Sequence, residues 1–470
     1  MIKTKIIATL GPGSDAPQTI AALLDAGVDV FRLNFSHGTI DAHAERLARI
    51  RAAAAAKGAV VAVMADLCGP KIRLGTIAGG GVDLKPGDRM DLVAGDLVGD
   101  RQRVSTNRPQ LVGEVGVGHR ILIDDGNVRL RVEQADATAL HCVCEVGGRI
   151  SDRKGVNLPD SDLAISALTA KDRADLAWIV GTDIDYVAQS FVRSAADLSE
   201  LRALLPRGSA IQVIAKVETR HAIGKLDEII AAADAVLVAR GDLGVEMDPA
   251  GVPLLQKDMA RRCQIAAKPV IVATQMLQSM VERPTPTRAE VSDVANAILD
   301  SADAVMLSAE TAVGPYPTEA VRVMGRVAEM TEAWQGGAPA TAQVESRDSR
   351  RVTTSVAHGA SVLARELSAK LVAVWTETGR TARLLSKHRV PATIVGLSPD
   401  AQVCRRMALY YGVCPLQLVR NPSTGVMVRE VDAALKAAGL AKTGDCVIII
   451  AGTHLDDPGA TNALLIHLVN

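Results

Sequence analysis

The sequence predicts a multidomain α/β protein: a (β/α)8 TIM barrel, a small β domain inserted after its third strand, and an open α/β domain at the C-terminal end. Three observations predict it. Strand-length apolar runs alternate with helical patterns through eight units. The helical period vanishes over one stretch after the third run. Strand–helix alternation then resumes beyond a Gly-, Ala- and Ser-rich segment.

The eight runs are Lys5–Leu10, Val28–Asn34, Val60–Asp66, Tyr186–Phe191, Ala210–Val217, Ala235–Ala239, Pro269–Thr274 and Ala304–Ser308. In the first linking helix Ser14 or Asp15 can cap the start, Ile20, Leu23 and Leu24 share a face, and Gly27 can end it. A later helix, Ala289–Asp300, sets Val291, Val294, Ala295 and Ile298 at i, i+3, i+4 and i+7. Eight such units imply a closed parallel barrel, and residues 1–70 with 156–335 make up about the 250 residues usual for it.

Residues 71–155 read as the inserted domain. Short Val/Leu/Ile segments alternate there with the turn signals Gly79-Gly80-Gly81, Lys85-Pro86-Gly87-Asp88 and Asp124-Asp125-Gly126-Asn127, which is an antiparallel β pattern. Placed at a βα loop, this domain would sit over the catalytic mouth as a lid; a passive insertion is the plainer alternative. Gln335–Ser349 has linker composition, and residues 346–470 read as a doubly wound domain with strands near Leu371–Thr376, Thr393–Leu397, Pro415–Val419 and Cys446–Ala451.

A chain of 470 residues is too long for one core. Its 48% hydrophobic and 22% charged residues are ordinary for a folded protein. A net charge of −1 and only 2% aromatics argue against nucleic-acid partners, and the near-neutral charge with no apolar run of spanning length argues against a membrane. Met1-Ile2-Lys3 leads straight into a strand pattern rather than a signal peptide. Seven scattered cysteines, at no zinc-like spacing, fit reduced thiols and a cytoplasmic enzyme; Cys142 and Cys144 share a strand face as packing residues.

Two short runs concentrate the chemistry. Lys216 and Glu218, and again Arg240 and Asp242, stand two apart at the end of an apolar run, so each pair would face one way on a strand. Buried charges of this kind survive when paired or holding a metal. Barrel enzymes place their working groups at the carboxyl ends of the strands. Read in order, those ends carry Arg32, Asn34 and Ser36, then Asp66, then Lys216 and Glu218, then Gly241 and Asp242, then Thr274, then Ser308 and Glu310. Singly, each could be a rim salt bridge; together they suit a divalent ion beside a phosphorylated substrate. No GxxxxGK[ST], GxGxxG after a strand, HExxH or GxSxG occurs.

These motifs resemble the pyruvate kinase family along essentially the whole chain. The matching segments are Thr4–Pro12, Arg32–Gly38, Gly69-Pro70-Lys71-Ile72-Arg73, Lys154–Pro159, Lys216-Val217-Glu218, Ala239–Gly244, Ala273–Met280, Pro286–Asn296 and Met306–Ala312. The resemblance implies phosphoryl transfer from phosphoenolpyruvate to ADP, giving pyruvate and ATP. It implies Glu218 and Asp242 as ligands of Mg2+ (or Mn2+), and Lys216 as the cation on the phosphoryl group in flight. Arg32 and Arg73 would hold phosphate oxygens. Gly241 and Thr274 would meet the substrate's carboxylate end, with Asp242 beside them and Thr274 on the route that protonates the enolate. Asn34, His37, Arg73 and Lys154 would hold nucleotide, with Asp125 a weaker candidate, and lid closure would exclude water.

One departure bears on the cofactor. In the potassium-requiring branch a glutamate stands where this chain has Lys71; here Asp66-Leu67-Cys68-Gly69-Pro70-Lys71 resembles the branch that needs no potassium. The expectation is that K+ is not required, the Lys71 ammonium replacing its charge, although Asn34, Ser36 and Asp66, the family's potassium ligands, are present. Cys68 stands where that branch often has glutamine; a neutral thiol is the plain reading and an oxidation-sensitive one the alternative.

In the C-terminal domain, Thr376-Glu377-Thr378-Gly379-Arg380-Thr381 forms a turn between strand and helix that would nest a phosphate. The resemblance makes Thr376, Thr378, Gly379, Arg380 and Thr381 an effector site, completed by Gly452-Thr453-His454 and Pro458–Thr461. A sugar monophosphate or AMP is the expected activator, fructose 1,6-bisphosphate the second choice, and a loop that merely caps a helix the plain alternative. Family members are usually homotetramers, with Ala289–Asp300 a candidate contact. Two rival readings are a magnesium-dependent lyase barrel, disfavoured by the lid and Lys154, and a silent metabolite sensor, disfavoured by the full set of Arg32, Lys216, Glu218, Asp242 and Thr274. Transfer through a histidine fits poorly, since His37 is the sole rim histidine.

Overall fold

The computed structural model describes residues 1–163, 165–335, 351–419, 424–452 and 461–470. Eight parallel strands close the barrel in sequence order: Lys5–Leu10, Val30–Asn34, Ala62–Asp66, Tyr186–Gln189, Gln212–Val217, Ala235–Ala239, Val270–Ala273 and Ala304–Leu307. They are called strands one to eight below. Strand one pairs with both strand two and strand eight, which closes the cylinder. Alternation along each strand divides two packed layers. Ile7, Val30, Met64, Tyr186, Ile214, Leu237, Ile271 and Met306 fill the interior. Ile6, Phe31, Val63, Val187, Val213, Val236, Val272 and Val305 face the helices.

The helix expected at Ala289–Asp300 spans Arg288–Leu299 and begins with a capping box, Thr287 with Glu290. The first helix departs from expectation. It runs Pro17–Asp25 from an Ala16 N-cap with no side-chain cap, because Pro at its first position needs no amide partner. Ser14 is buried instead and its hydroxyl accepts from the Gly11 amide at 3.3 Å.

Between strands three and four the chain builds a six-stranded sheet and a two-stranded one, the latter pairing Gly81–Leu84 with Gly148–Ser151. At the tip between Arg120–Ile123 and Val128–Ala135, Asp124 and Asp125 adopt φ of +55° and +56°. Cys142 and Cys144 pack inside this domain, both about 2% exposed.

The C-terminal sheet holds Leu371–Trp375, Thr393–Ser398, Val413–Gln417 and Cys446–Ala451 in parallel, plus an unforeseen antiparallel strand, Ala463–Leu468. This domain packs on the amino-terminal end of the barrel, opposite the mouth. The Tyr186 hydroxyl, deep in the barrel interior, donates to the Arg406 carbonyl at 2.6 Å, and the Gly412 amide donates to the Lys3 carbonyl at 2.8 Å. The linker composition at 335–349 lies, beyond Gln335, outside the described residues. Among the described residues no helix is long and apolar enough to cross a membrane.

Tyr186→Phe removes the shortest hydrogen bond to the Arg406 carbonyl, which keeps only the longer one from the Leu409 amide at 3.3 Å. The expected cost is about 1–2 kcal/mol of unfolding free energy, read from denaturant titration.

Candidate active site

The carboxyl ends of strands two, three and five bring four charged side chains into one buried cluster. Arg32 rises from strand two and grips Asp66 of strand three, Nε to Oδ2 at 2.7 Å and Nη2 to the same oxygen at 2.6 Å. Lys216 of strand five lies between two acids, 3.1 Å from Asp66 Oδ1 and 2.7 Å from Glu218 Oε1. The expected shared face of Lys216 and Glu218 is therefore present. Burial pushes the Asp66 carboxyl up, but the Lys216 and Arg32 charges outweigh it and hold it below the usual carboxylate range. Burial alone would discharge Lys216; its two acids reverse this and raise its pKa, keeping it an ammonium. Burial raises the pKa of Glu218, which Lys216 opposes and the Asp242 charge reinforces.

Arg240 and Asp242 do not share a strand face. Strand six stops at Ala239, and Arg240–Glu246 is a short helix, so the period changes between them. Arg240 turns away to Asp293 at 2.7 Å and the Thr274 carbonyl at 2.8 Å. Asp242, in the first helical turn, lines the cleft between barrel and inserted domain.

Thr274 follows strand seven at φ +72°, strained for a β-branched residue. Its hydroxyl accepts from the Gly241 amide at 2.7 Å and donates to the Ala273 carbonyl at 2.6 Å. The two groups expected at a substrate carboxylate thus engage each other here. Glu310, in the short helix Ala309–Ala312 that follows strand eight, is wholly buried and accepts from the Leu277 and Ser308 amides, which makes it a brace for the rim loops.

On the strand-two side, Asn34 Oδ1 accepts from the Ser36 amide at 3.1 Å, and the Phe35 amide donates to the Asp66 carbonyl at 2.9 Å. Asn34, Ser36 and Asp66 are thus adjacent, but the Asp66 carboxylate is occupied by Arg32 and Lys216. Lys71 is exposed and lines the same cleft as Asp125 and Asp242. His37 is exposed at the mouth; partial burial and the cations Arg73, Lys71 and Arg32 lower its pKa. Arg73 donates to the Arg153 carbonyl at 3.0 Å. Lys154 pairs with Asp124 at 2.7 Å, the neighbour of the expected Asp125. Cys68 is half-buried and free.

Three participants escaped the sequence. Ser190 follows strand four, accepts from Lys216 Nζ at 2.6 Å and donates to the Leu67 carbonyl at 2.7 Å. Thr9 of strand one accepts from Arg32 Nη1 at 3.1 Å. The Phe191 amide, held at φ +55°, donates to Glu218 Oε2 at 2.8 Å. Ser190 had a signal, since it shares parity with the interior residues Tyr186 and Ala188.

The donor set suits a divalent ion. Two cations, Arg32 and Lys216, face three acids, Asp66, Glu218 and Asp242, so negative charge is left over. Among the described residues no group of three or more His, Cys, Asp or Glu forms a complete metal cage. An ion held by two carboxylates would complete its shell from substrate and water, the habit of magnesium.

The barrel thus sets an acid-rich amine–carboxylate cluster beneath an inserted β domain, an arrangement suited to a phosphotransferase. The family descriptions that match are "Pyruvate kinase, barrel domain" over residues 1–321 and "Pyruvate kinase, alpha/beta domain" over residues 354–467. A pyruvate kinase of Geobacillus stearothermophilus is 40% identical over 473 residues, 100% of this chain and 80% of the relative. One from Agrobacterium vitis is 43% identical, covering 98% of this chain and 96% of that one. A solved pyruvate kinase from Cryptosporidium parvum superposes with a TM-score of 0.92 at 34% identity, covering 100% of this chain and 96% of that chain. The chain belongs to the pyruvate kinase family.

Gly69 supplies a test of the cluster. It sits at φ +67°, and a Cβ there would lie 2.6 Å from the Phe191 ring and 3.0 Å from Ser190 Cβ. Gly69→Ala displaces the residues that hold Glu218 and Lys216, so kcat should fall about a hundredfold in steady-state kinetics while the fold persists by circular dichroism.

Proposed function

We propose that this protein transfers the phosphoryl group of phosphoenolpyruvate to ADP, giving pyruvate and ATP, at the cluster under the inserted domain. The observation that carries this reading is the buried Arg32–Asp66–Lys216–Glu218 set with Asp242 beside it. Glu218 and Asp242 would hold Mg2+ or Mn2+, which supplies positive charge to the oxygens of the substrate. Lys216 stays charged and sits where negative charge on the moving group needs a partner. Arg32 offers a planar donor fork to phosphate oxygens, Arg73 a second from the lid side. Thr274 stands at the end of the route for a proton to the enolate; its hydroxyl, once released from Gly241, would face the substrate carboxylate with the freed amide. Lys154, Asn34 and His37 would border the nucleotide, and the inserted domain excludes water so that transfer does not become hydrolysis. Lys216→Met should lower kcat about a thousandfold in an assay coupling pyruvate formation to ATP, and should also lower the thermal midpoint, because buried Asp66 and Glu218 lose the cation they share. Chelation by EDTA should abolish turnover and magnesium restore it.

Independence from potassium is part of the proposal. It is supported by Lys71, whose charge reaches His37 together with those of Arg32 and Arg73. Full activity is expected in a buffer free of sodium and potassium; manyfold activation by added potassium would overturn it.

The C-terminal turn is proposed to bind a sugar monophosphate or AMP. Support comes from Gly379, at φ +78° ahead of the helix Arg380–Ser386, and from Arg380, whose pKa burial and the nearby Arg383 charge lower, so that an anion would relieve it. Thr378 is exposed, whereas the hydroxyls of Thr376 and Thr381 are buried, accepting from the Gly379 amide at 3.0 Å and meeting Thr461 at 2.8 Å respectively. Thr453, His454 and Pro458–Ala460, expected on the far side, lie outside the described residues. Association of copies is supported by Leu465, Ile466 and Leu468, exposed on the outer strand; a homotetramer is the assembly proposed.

A further inference from the structure

The base of the barrel carries a fourfold device. Asp29, Asp185, Asp234 and Asp303 each immediately precede an even-numbered strand. Each carboxylate accepts from a backbone amide at the start of the preceding odd-numbered strand: Ile6 at 2.9 Å, Val63 at 2.9 Å, Val213 at 2.8 Å and Val270 at 2.7 Å. Each aspartate amide returns a bond to the carbonyl of that same residue.

The four acids differ in their counter-ions. Asp29 pairs with Lys5 and Asp234 with Arg202, both from the barrel, and these carboxylates keep 25% and 22% exposure. Asp185 and Asp303 are 0% exposed. Asp185 takes Arg51 and, from the C-terminal domain, Arg405, each at 2.8 Å. Asp303 is paired wholly by that domain, with Lys387 in direct contact and Arg389 at 3.6 Å. The sealed members sit on strands four and eight, on opposite sides of the cylinder.

We propose that Lys387 is a positioning residue for the active site, acting through Asp303 on strand seven, and that the C-terminal domain is the obligatory source of counter-ions for Asp303 at the base of the barrel. The path is short. Asp303 anchors the Val270 amide at the first residue of strand seven; the strand ends at Ala273, and Thr274 then holds the Gly241 amide next to Asp242. A buried carboxylate that loses its cation either takes up a proton or repels its surroundings, and both loosen the strand it anchors.

The kinetic half of this inference rests on the proposed reaction; the stability half does not. The test compares the full-length protein with Lys387→Met and with Lys387→Met/Asp303→Asn, by thermal unfolding and steady-state kinetics. The single variant should lower the midpoint by roughly 5 °C or more. It should lower kcat about tenfold with KM for ADP unchanged, because nucleotide contacts lie away from strand seven. The double variant should recover both, since asparagine keeps an acceptor for the Val270 amide and removes the charge. If the single variant does not fold, restored folding in the double supports the proposal. A double variant no better than the single one would overturn it, assigning the loss to the packing of the lysine stem. Unchanged kcat in a destabilised single variant would overturn the positioning role. A wild-type protein without kinase activity would instead sink the functional reading and leave the midpoint rescue to decide the ion pair.

Discussion

Placing an ammonium where little water can reach it is the constraint on which the active end of this molecule depends. Lys216 stays charged in the barrel mouth because Asp66 and Glu218 flank it, and Asp66 stays charged because Arg32 and Lys216 hold it. Removing one member leaves a buried charge unpaired, at a cost of about 3–5 kcal/mol. The backbone is shaped to serve this set. Phe191 and Thr274 accept positive φ, and Gly69 stays bare so that the Phe191 ring can approach. Local strain here is offset by the long-range packing of eight strands.

Much of this arrangement was legible because strand alternation is a rigid rule. Lys216 and Glu218 stand two apart at a strand end, so their common face followed from spacing alone. The same rule failed at Arg240 and Asp242, where the chain leaves the strand after Ala239 and starts a helix; the apolar run gave no sign of where it would stop. Ser190 went unread because a serine beyond a strand is common and carries no charge to mark it. The last strand, Ala463–Leu468, was missed because its Ala, Leu and Ile residues fit a buried helix as well as a strand and it runs against the parallel pattern of its neighbours. The identity of the family came from the ordered motifs rather than from any single residue.

The barrel has two poles with opposite electrostatic designs. At the mouth, acids outnumber cations, a surplus that suits a divalent ion. At the base, each acid is paired with an arginine or lysine, two of these cations coming from the C-terminal domain for Asp303 and one for Asp185. Strands link the two poles within four to six residues, so a shift at one end has little chain in which to dissipate.

The fourfold aspartate pattern also bears on how the inserted domain is tolerated. The inserted domain parts strand three from strand four, the two members of one stapled pair, at the mouth. Asp185 still fastens strand four to Val63 at the far end, so the detour is pinned where it cannot pry the pair open. Insertion at this loop therefore adds a roof without opening a seam in the wall beneath it.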